Sequence, residues 1–274
     1  MPTRVETSGR QIPPENWDRY MSSLRGSRRT LTRILVPGTD TSYDTFTAMP
    51  LYKETWQITK QLFNGTQPGG SVLDLGCGDG HLALSVIQAT DTTRFVGLDI
   101  SEAGLATARA RVLGRNNLDV QFYQQDLAQP WTCLDGQQFD TIFSSNVLGW
   151  LPPQARQAIF PQIAKHLAPE GQAILQIRTG WKPDTIKAHV VDEAKSNLRV
   201  CLATLFASKQ DVDAMNALSQ TGLSDACTPD REELEALIRN NGLKIVDAKP
   251  TFWPKNEDDP WSGKGIAMRL SLAD

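Results

Sequence analysis

The amino-acid sequence predicts an α/β protein with a largely parallel β-sheet. From residue 71 onward, short apolar runs alternate with segments of helical period, which is typical of parallel sheets covered by helices on both faces. The chain has 274 residues, of which 40% are hydrophobic, enough for a sizeable core. A glycine-rich turn follows the first apolar run, in the stretch VLDLGCGDG at 72–80. Such turns join strand to helix in α/β proteins that bind ligands.

The predicted elements follow one another regularly in the first part of this region. Strands are predicted at Ser71–Leu75, Arg94–Asp99, Val120–Tyr123, Phe139–Ser144 and Gln172–Arg178. Helices are predicted at His81–Ala89, after a cap at Ser101 as far as Gly114, and at about 153–167.

The C-terminal end has a different pattern. We expect a helix capped by Thr228, with Pro229 at its first position and Gly242 just past its end. Two strands follow, Leu243–Lys249 and Gly265–Ser271, without a helix between them. They are therefore expected to form an antiparallel hairpin at the edge of the sheet.

Two segments lie outside the strand–helix alternation. Residues 1–66 are predicted to form an N-terminal cap segment with helices at Trp17–Ile34 and Leu51–Phe63. The main domain then covers 67–274, with a helical insertion at about 181–227 that is too long for an ordinary loop. We expect both segments to cover the sheet as helical cap elements.

Composition and charge exclude several classes of protein. No apolar run approaches the roughly 18 residues of a membrane helix, so no membrane association is expected. The four cysteines are widely spaced without a CxxC pair, which indicates reduced thiols in a cytoplasmic protein and no metal site. Residues 1–36 carry a net charge of +4, which suits either an anion-binding arm or a solvated amphipathic helix. The acidic remainder makes nucleic acid an improbable partner, and the oligomeric state does not follow from the sequence.

The glycine turn and the next strand predict a site for a nucleoside. Gly76, Cys77 and Gly78 let the backbone turn sharply beneath a ligand, and the following helix offers free N–H groups. Asp99 ends the second strand, where a carboxylate accepts hydrogen bonds from both hydroxyls of a ribose. The spacing is GxGxG rather than the GxGxxG of dinucleotide sites, and Asp74 would repel a pyrophosphate but attract an ammonium group. S-adenosyl-L-methionine joins a nucleoside to an amino acid and fits both acids.

On these residues the sequence resembles the class I S-adenosylmethionine-dependent methyltransferases over about 70–178, and more loosely to 272. Phe139–Trp150 resembles the fourth-strand motif of that superfamily, and LAPEGQAIL resembles its entry to the fifth strand. The resemblance implies a Rossmann-like, seven-stranded sheet with S-adenosyl-L-homocysteine as product. It also implies cofactor contacts from Ile100, Asp126, Leu127, Ser145 and Asn146. Structural alternatives remain: Asp74 could bond the glycine turn, Asp126 could cap a local turn, and Cys77 could simply pack.

The residues after the fourth and fifth strands are expected to face the methyl acceptor. The pattern S-N-x-L-x-W is similar to the small-molecule branch with trans-aconitate, juvenile hormone acid and malonyl-carrier-protein methyltransferases, which methylate carboxylates. A carboxylate is ionised at pH 7 and needs a cation and an apolar wall, roles open to Arg178, Trp150 and Trp181. Tyr20 and Arg25 are further candidates for substrate binding, and His189 is the best candidate for a general base.

Several functions stay open at this point. A small-molecule methyltransferase with a carboxylate acceptor is preferred, and methylation of nitrogen, carbon or a hydroxyl is the alternative. A nicotinamide-dependent oxidoreductase is opposed by the glycine spacing. A non-catalytic S-adenosylmethionine-binding protein is the remaining possibility.

Overall fold

The computed structural model describes residues 50–64, 70–112, 118–151, 153–179, 228–251, 256–263 and 265–273. All of them belong to one unit, formed by residues 49–180 and 228–274. The predicted helix Trp17–Ile34 and the predicted insertion at 181–227 lie outside the described residues. The division into a cap segment and a main domain therefore stays a prediction.

The described strands form one seven-stranded sheet in the order β3-β2-β1-β4-β5-β7-β6. Strands β1 to β5 pair in parallel, and β7 is antiparallel to both of its neighbours. The bounds are β1 Ser71–Leu75, β2 Arg94–Asp99, β3 Asp119–Gln124, β4 Phe139–Ser145, β5 Leu167–Arg178, β6 Leu243–Thr251 and β7 Gly265–Leu272. This architecture confirms the predicted mostly parallel sheet and its C-terminal hairpin.

The described helices are α1 Pro50–Gln61, α2 Ala83–Thr90, α3 Glu102–Val112, α4 Pro153–His166 and α5 Arg231–Asn240. The predicted cap of α3 is confirmed, since the Gly104 N–H donates to the Ser101 hydroxyl at 3.2 Å. The predicted cap of α5 at Thr228 is wrong. Asp230 caps that helix instead, because its carboxylate accepts the Glu233 N–H at 2.8 Å.

Helices cover both faces of the sheet. On one face, α4 and α5 bury Phe160, Ile163 and Leu234 against the strands. On the other face, which we call the cofactor-side face because it carries Asp74, a predicted cofactor residue, α2 and α3 contribute Val86 and Leu105 to a second core cluster. Burial on both faces explains why the strands read as nearly continuous apolar runs.

Residues at the end of α1 also belong to the second core cluster. Leu62 and Phe63 are buried there, and the Phe63 ring lies 5.6 Å from the Phe143 ring of β4. Trp56 completes an aromatic group, with its ring centroid 6.1 Å from both phenylalanine rings. This end of α1 is thereby packed on the cofactor-side face.

The opposite face carries a buried ion pair between α4 and α5. The Arg156 guanidinium donates to the Glu233 carboxylate through Nε at 2.7 Å and through Nη2 at 2.9 Å. Arg156 Nη1 also donates to the Leu151 carbonyl. The pair fixes α5, the first described element after residue 227, against the helix that precedes β5.

The described helices reach at most 14 residues, and none of them has the length and apolar character needed to cross a bilayer.

Candidate functional site

Polar side chains gather where the parallel strands end on the cofactor-side face. Side chains two residues apart point to the same face of a strand. Val72, Phe143 and Ile174 belong to the apolar cluster of this face, and the residue two positions further along each strand is polar. These residues are Asp74 on β1, Ser145 on β4 and Gln176 on β5. This face of the sheet is therefore apolar at the middle of the strands and polar at their carboxyl ends, where ligands bind in open α/β sheets.

The glycine turn after β1 has the backbone geometry that the sequence predicted. Gly76 and Gly78 have φ angles of +73° and +57°, in the left-handed region that favours glycine. The Gly76 and Cys77 N–H groups donate to the Leu98 carbonyl of β2 at 2.7 and 3.0 Å. A Cβ added at Gly78 would meet no described atom within 4 Å, so a ligand can approach the backbone closely there.

Asp99 holds this turn from the end of β2. Its Oδ2 accepts the Gly78 N–H at 2.7 Å, and its Oδ1 accepts the Ser101 N–H at 2.8 Å. The predicted ribose acceptor therefore lies directly beside the glycine turn.

Asp74 is buried without a hydrogen-bond donor among the described residues. It is 3% exposed. Its burial, followed by the negative charge of Asp99, raises the pKa of the Asp74 carboxyl to about 8. One predicted alternative was a hydrogen bond from the glycine turn to Asp74. The described part of the chain contains no such bond. A cationic group placed here would stabilise the ionised carboxylate.

The cysteine within the turn points away from this opening. The position that a Cβ would take at Gly97 lies 2.7 Å from the Cys77 sulfur and 2.6 Å from the Phe122 ring, so Cys77 packs over the bare backbone of β2. Burial and the nearby Asp74 carboxyl raise the pKa of the Cys77 thiol. The side chain has the packing role that was the predicted alternative, and contact through its backbone stays a prediction.

The residues expected near an adenine have separate local roles. The Ile100 side chain is half-buried just after β2. Asp126 accepts the Ala128 N–H at 2.9 Å, as the predicted local turn requires. Leu127 is buried in the core of the opposite face. Contact of these three residues with a cofactor stays a prediction.

The ends of β4 and β5 are joined by side-chain hydrogen bonds. Asn146 has a φ of +58°, and its N–H donates to the Gln176 carbonyl at 2.9 Å. The Arg178 Nε donates to the Asn146 Oδ1 at 3.1 Å, and the Ser145 hydroxyl donates to the Gln176 Oε1 at 3.3 Å. The sequence analysis missed Gln176. The signal was a polar residue within an apolar strand, two positions before Arg178 and therefore on the same face.

Other predicted residues are described only in part or lie outside the described residues. Tyr20, Arg25, Trp181 and His189 are not among the described residues, and only the backbone of Trp150 is described, in a short 3₁₀ turn at Leu148–Trp150. Within the described ranges, no three His, Cys, Asp and Glu side chains come together in a group that could hold a metal ion.

Two histidines, His81 and His166, lie among the described residues. His81 follows the glycine turn, where its N–H donates to the Asp79 carboxylate at 3.1 Å. His166 lies just before β5, with Nδ1 2.8 Å from the Gln137 carbonyl and its ring stacked on Trp131. Burial lowers the pKa of His166. Its role is structural, at the start of a strand rather than at its end.

Part of the chain is similar to known proteins. Residues 72–171 match the family model of a methyltransferase domain. The trans-aconitate 2-methyltransferase of Escherichia coli is 32% identical over 114 residues, which are 42% of this chain and 41% of that protein. The match thus spans about two fifths of the length of the curated relatives.

Solved structures share the fold. The magnesium protoporphyrin IX methyltransferase of Synechocystis PCC 6803, crystallised with bound S-adenosyl-L-homocysteine, matches with a TM-score of 0.59 and 20% identity, over 96% of this chain and 100% of that one. The N-methyltransferase NodS of Bradyrhizobium japonicum WM9 matches with a TM-score of 0.56 and 14% identity, over 90% of this chain and 99% of its own. The methyltransferase-domain match over residues 72–171, the sheet order and the glycine turn agree with the predicted resemblance to the class I S-adenosylmethionine-dependent methyltransferases.

Proposed function

We propose that this chain is an enzyme that transfers a methyl group from S-adenosyl-L-methionine to a carboxylate oxygen of a small molecule. The observation that carries the cofactor assignment is the pair of acids beside the glycine turn. Asp99 is bonded to the Gly78 N–H at the end of β2, and the Asp74 carboxyl is buried without a side-chain hydrogen bond among the described residues. A nucleoside with an ammonium-bearing tail satisfies both carboxylates.

The residues present fit this cofactor. Gly78 leaves its backbone open to a ligand, Asp99 would take the ribose hydroxyls, and Asp74 would pair with the ammonium group. When bound, the cofactor supplies an electrophilic methyl group on a sulfonium. The glycine spacing GxGxG, rather than the GxGxxG of dinucleotide sites, disfavours an oxidoreductase.

The acceptor assignment rests on the ends of β4 and β5. A carboxylate is ionised at neutral pH, so it needs no general base, only a cation to orient it and a site that excludes water. Arg178 supplies a guanidinium that is only 8% exposed and is oriented through Nε by Asn146. The similarity to a trans-aconitate 2-methyltransferase, whose name describes an acid acceptor, supports the same class of substrate.

Two measurements test the proposal. Calorimetry with S-adenosyl-L-homocysteine tests the cofactor, with NADH as the competing ligand. Transfer of a labelled methyl group tests the acceptor over a panel of a tricarboxylate (trans-aconitate), a dicarboxylate (malonate), benzoate, decanoate, catechol and benzylamine. We expect binding of S-adenosyl-L-homocysteine but not of NADH, and turnover among the four acids.

Each failure has its own meaning. Turnover of catechol or benzylamine with none of the acids would contradict the carboxylate acceptor and leave the methyltransferase activity standing. Binding of S-adenosyl-L-homocysteine without turnover of any acceptor would favour a non-catalytic binding protein. Absence of binding in folded protein would contradict the cofactor itself.

A further inference from the structure

The amide of Gln176 is a buried donor without a hydrogen-bond acceptor in the described part of the chain. Gln176 is 1% exposed, and its Nε2 has no hydrogen-bond partner among the described residues. A buried donor left unpaired costs about 1–3 kcal/mol, so a group retained in this state points to an acceptor supplied from elsewhere. The amide lies on the cofactor-side face, beside Ser145 at the end of β4.

The orientation of this amide is set by a directed chain of hydrogen bonds that begins at Arg178. A guanidinium can only donate, so the Asn146 atom that Arg178 Nε contacts at 3.1 Å must be the carbonyl oxygen. The Asn146 Nδ2 then donates to the Ser145 hydroxyl at 3.4 Å. The Ser145 hydroxyl in turn donates a hydrogen bond to the Gln176 Oε1 at 3.3 Å. In this arrangement, the Gln176 Oε1 is hydrogen-bonded and the Gln176 Nε2 is the amide atom without a partner among the described residues.

The neighbouring positions on β7 offer no side-chain acceptor for the Gln176 amide. Its neighbour on β7 is Ala267, and the neighbour of Arg178 on β7 is Gly265. Neither side chain carries a polar atom. Gln176 and Arg178 are two residues apart on one strand, so they lie on one face about 7 Å apart. An amide NH₂ and a guanidinium at this separation are donors suited to the oxygens of a carboxylate or of a small polycarboxylate.

We propose that Gln176 binds a carboxylate oxygen of the methyl acceptor through Nε2 and so determines the class of acceptor. This inference rests on the proposed function, because it concerns the substrate of the same site. Ser145 and Asn146 act as positioning residues that hold the amide with its NH₂ end toward the acceptor. Arg178 both fixes this orientation and supplies the positive charge.

The test replaces the donor without changing the size of the side chain. In Gln176→Glu, the NH₂ becomes an oxygen, and in Gln176→Met the amide is removed without adding charge. Both variants are expected to raise the KM for trans-aconitate, or for whichever acid of the panel turns over, by about tenfold or more. The Kd for S-adenosyl-L-homocysteine is expected to stay within about twofold of the wild-type value, because Asp74 and Asp99 are unchanged.

The matched control is Gln172→Glu, on the same strand and the same face but about 13 Å nearer its beginning. Its KM for the acid should equal that of the wild type. Ser145→Ala tests the positioning role, since it frees the amide to rotate. It should raise the KM for the acid less than Gln176→Glu does.

The outcomes separate this inference from the proposed function. Acid turnover by Gln176→Glu and Gln176→Met with wild-type KM would overturn the role of Gln176 alone. A weaker Kd for S-adenosyl-L-homocysteine with an unchanged KM would also overturn it, because the amide would then serve the carboxylate of the cofactor. If the wild type binds S-adenosyl-L-homocysteine but methylates no acid, the carboxylate acceptor and the role of Gln176 both fall, and the cofactor assignment stands.

Discussion

Asp74 and Asp99 lie on the neighbouring strands β1 and β2, and burial first, with the charge of Asp99 second, raises the pKa of the Asp74 carboxyl to about 8. Two acids placed so close are unfavourable for the ligand-free protein. The arrangement becomes favourable when a cation pairs with Asp74 and hydroxyl groups bond to Asp99.

Binding of S-adenosyl-L-homocysteine is expected to release a proton. Below pH 8 the Asp74 carboxyl is mostly protonated in the free protein, and pairing with an ammonium group lowers its pKa. Affinity should therefore increase from pH 6 to pH 8, by up to about tenfold per pH unit well below the pKa. Calorimetry in buffers of different ionisation enthalpy measures the released proton directly. A pH-independent Kd in the wild type would rule out pairing at Asp74.

Asp74→Asn should stabilise the free protein while weakening ligand binding. The folded pKa is above the unfolded value of 3.8, so the folded state holds more protons between those pH values and the free energy of unfolding of the wild type falls as pH rises through that window. Asp74→Asn has no carboxyl at this position, so its free energy of unfolding does not fall with pH for this reason. Urea unfolding should show a stability advantage of a few kcal/mol at most, larger at pH 8 than at pH 5. An advantage that does not change with pH would contradict the raised pKa.

Asp99→Ala should weaken binding of S-adenosyl-L-homocysteine by about 1.5–3 kcal/mol, as expected for lost hydrogen bonds to a charged group. It also leaves the Gly78 N–H without its acceptor, so the glycine turn loses a support. Asp119→Ala is the control, because its carboxylate is exposed at the start of β3. An unchanged Kd in Asp99→Ala would mean that the ribose acceptor has been misassigned.

Arg178→Gln should raise the KM for a methylated acid by about tenfold to a hundredfold, because the cation that orients the carboxylate is lost. Arg178→Lys keeps the charge but not the Nε–H bond to Asn146, and we expect an intermediate KM. The measurement is steady-state kinetics with the acid varied at saturating cofactor. Equal KM values in the wild type and Arg178→Gln would remove Arg178 from the acceptor site.

Glu233→Ala should destabilise the fold by about 2–4 kcal/mol, because it leaves the buried Arg156 guanidinium without its anion. Glu235→Ala on the same helix is the control. Its partner Arg231 is 60% exposed, so breaking that pair should cost less than about 1 kcal/mol. Urea unfolding compares the two variants, and equal losses would mean that the Arg156 pair is no stronger than a surface pair.

Strands that are buried on both faces of the sheet were predictable, because burial on both faces requires an uninterrupted run of apolar residues. β1 and β2 are continuous apolar runs between turns, and their predicted bounds are confirmed. The start of β5 was predicted at Gln172, but the strand begins at Leu167, which pairs with Phe139 across an irregularity in the ladder. The residues of LAPEG have little strand propensity, and of these five residues Leu167 is the one that the ladder pairs with β4.

The missed features depend on contacts between segments that are distant in the sequence. Local periodicity predicts that β6 and β7 pair, but not that β7 lies between β5 and β6. Helix α2 begins at Ala83 rather than at His81, because the Asp79 carboxylate and the Cys77 carbonyl hold the preceding residues in turns. Likewise, Asp74 and Asp99 were recognisable from their places at strand ends, whereas the role of Gln176 depends on hydrogen bonds that cross from β4 to β5.

The contact between Cys77 and Gly97 has an evolutionary consequence. The sulfur occupies the volume that a methyl group at position 97 would need, with the Phe122 ring closing the other side. A larger residue at position 97 is therefore tolerated only if position 77 or 122 becomes smaller in the same lineage. Among homologous chains, these three positions should covary in size, although they lie on three separate segments and none of the three side chains needs to touch a substrate.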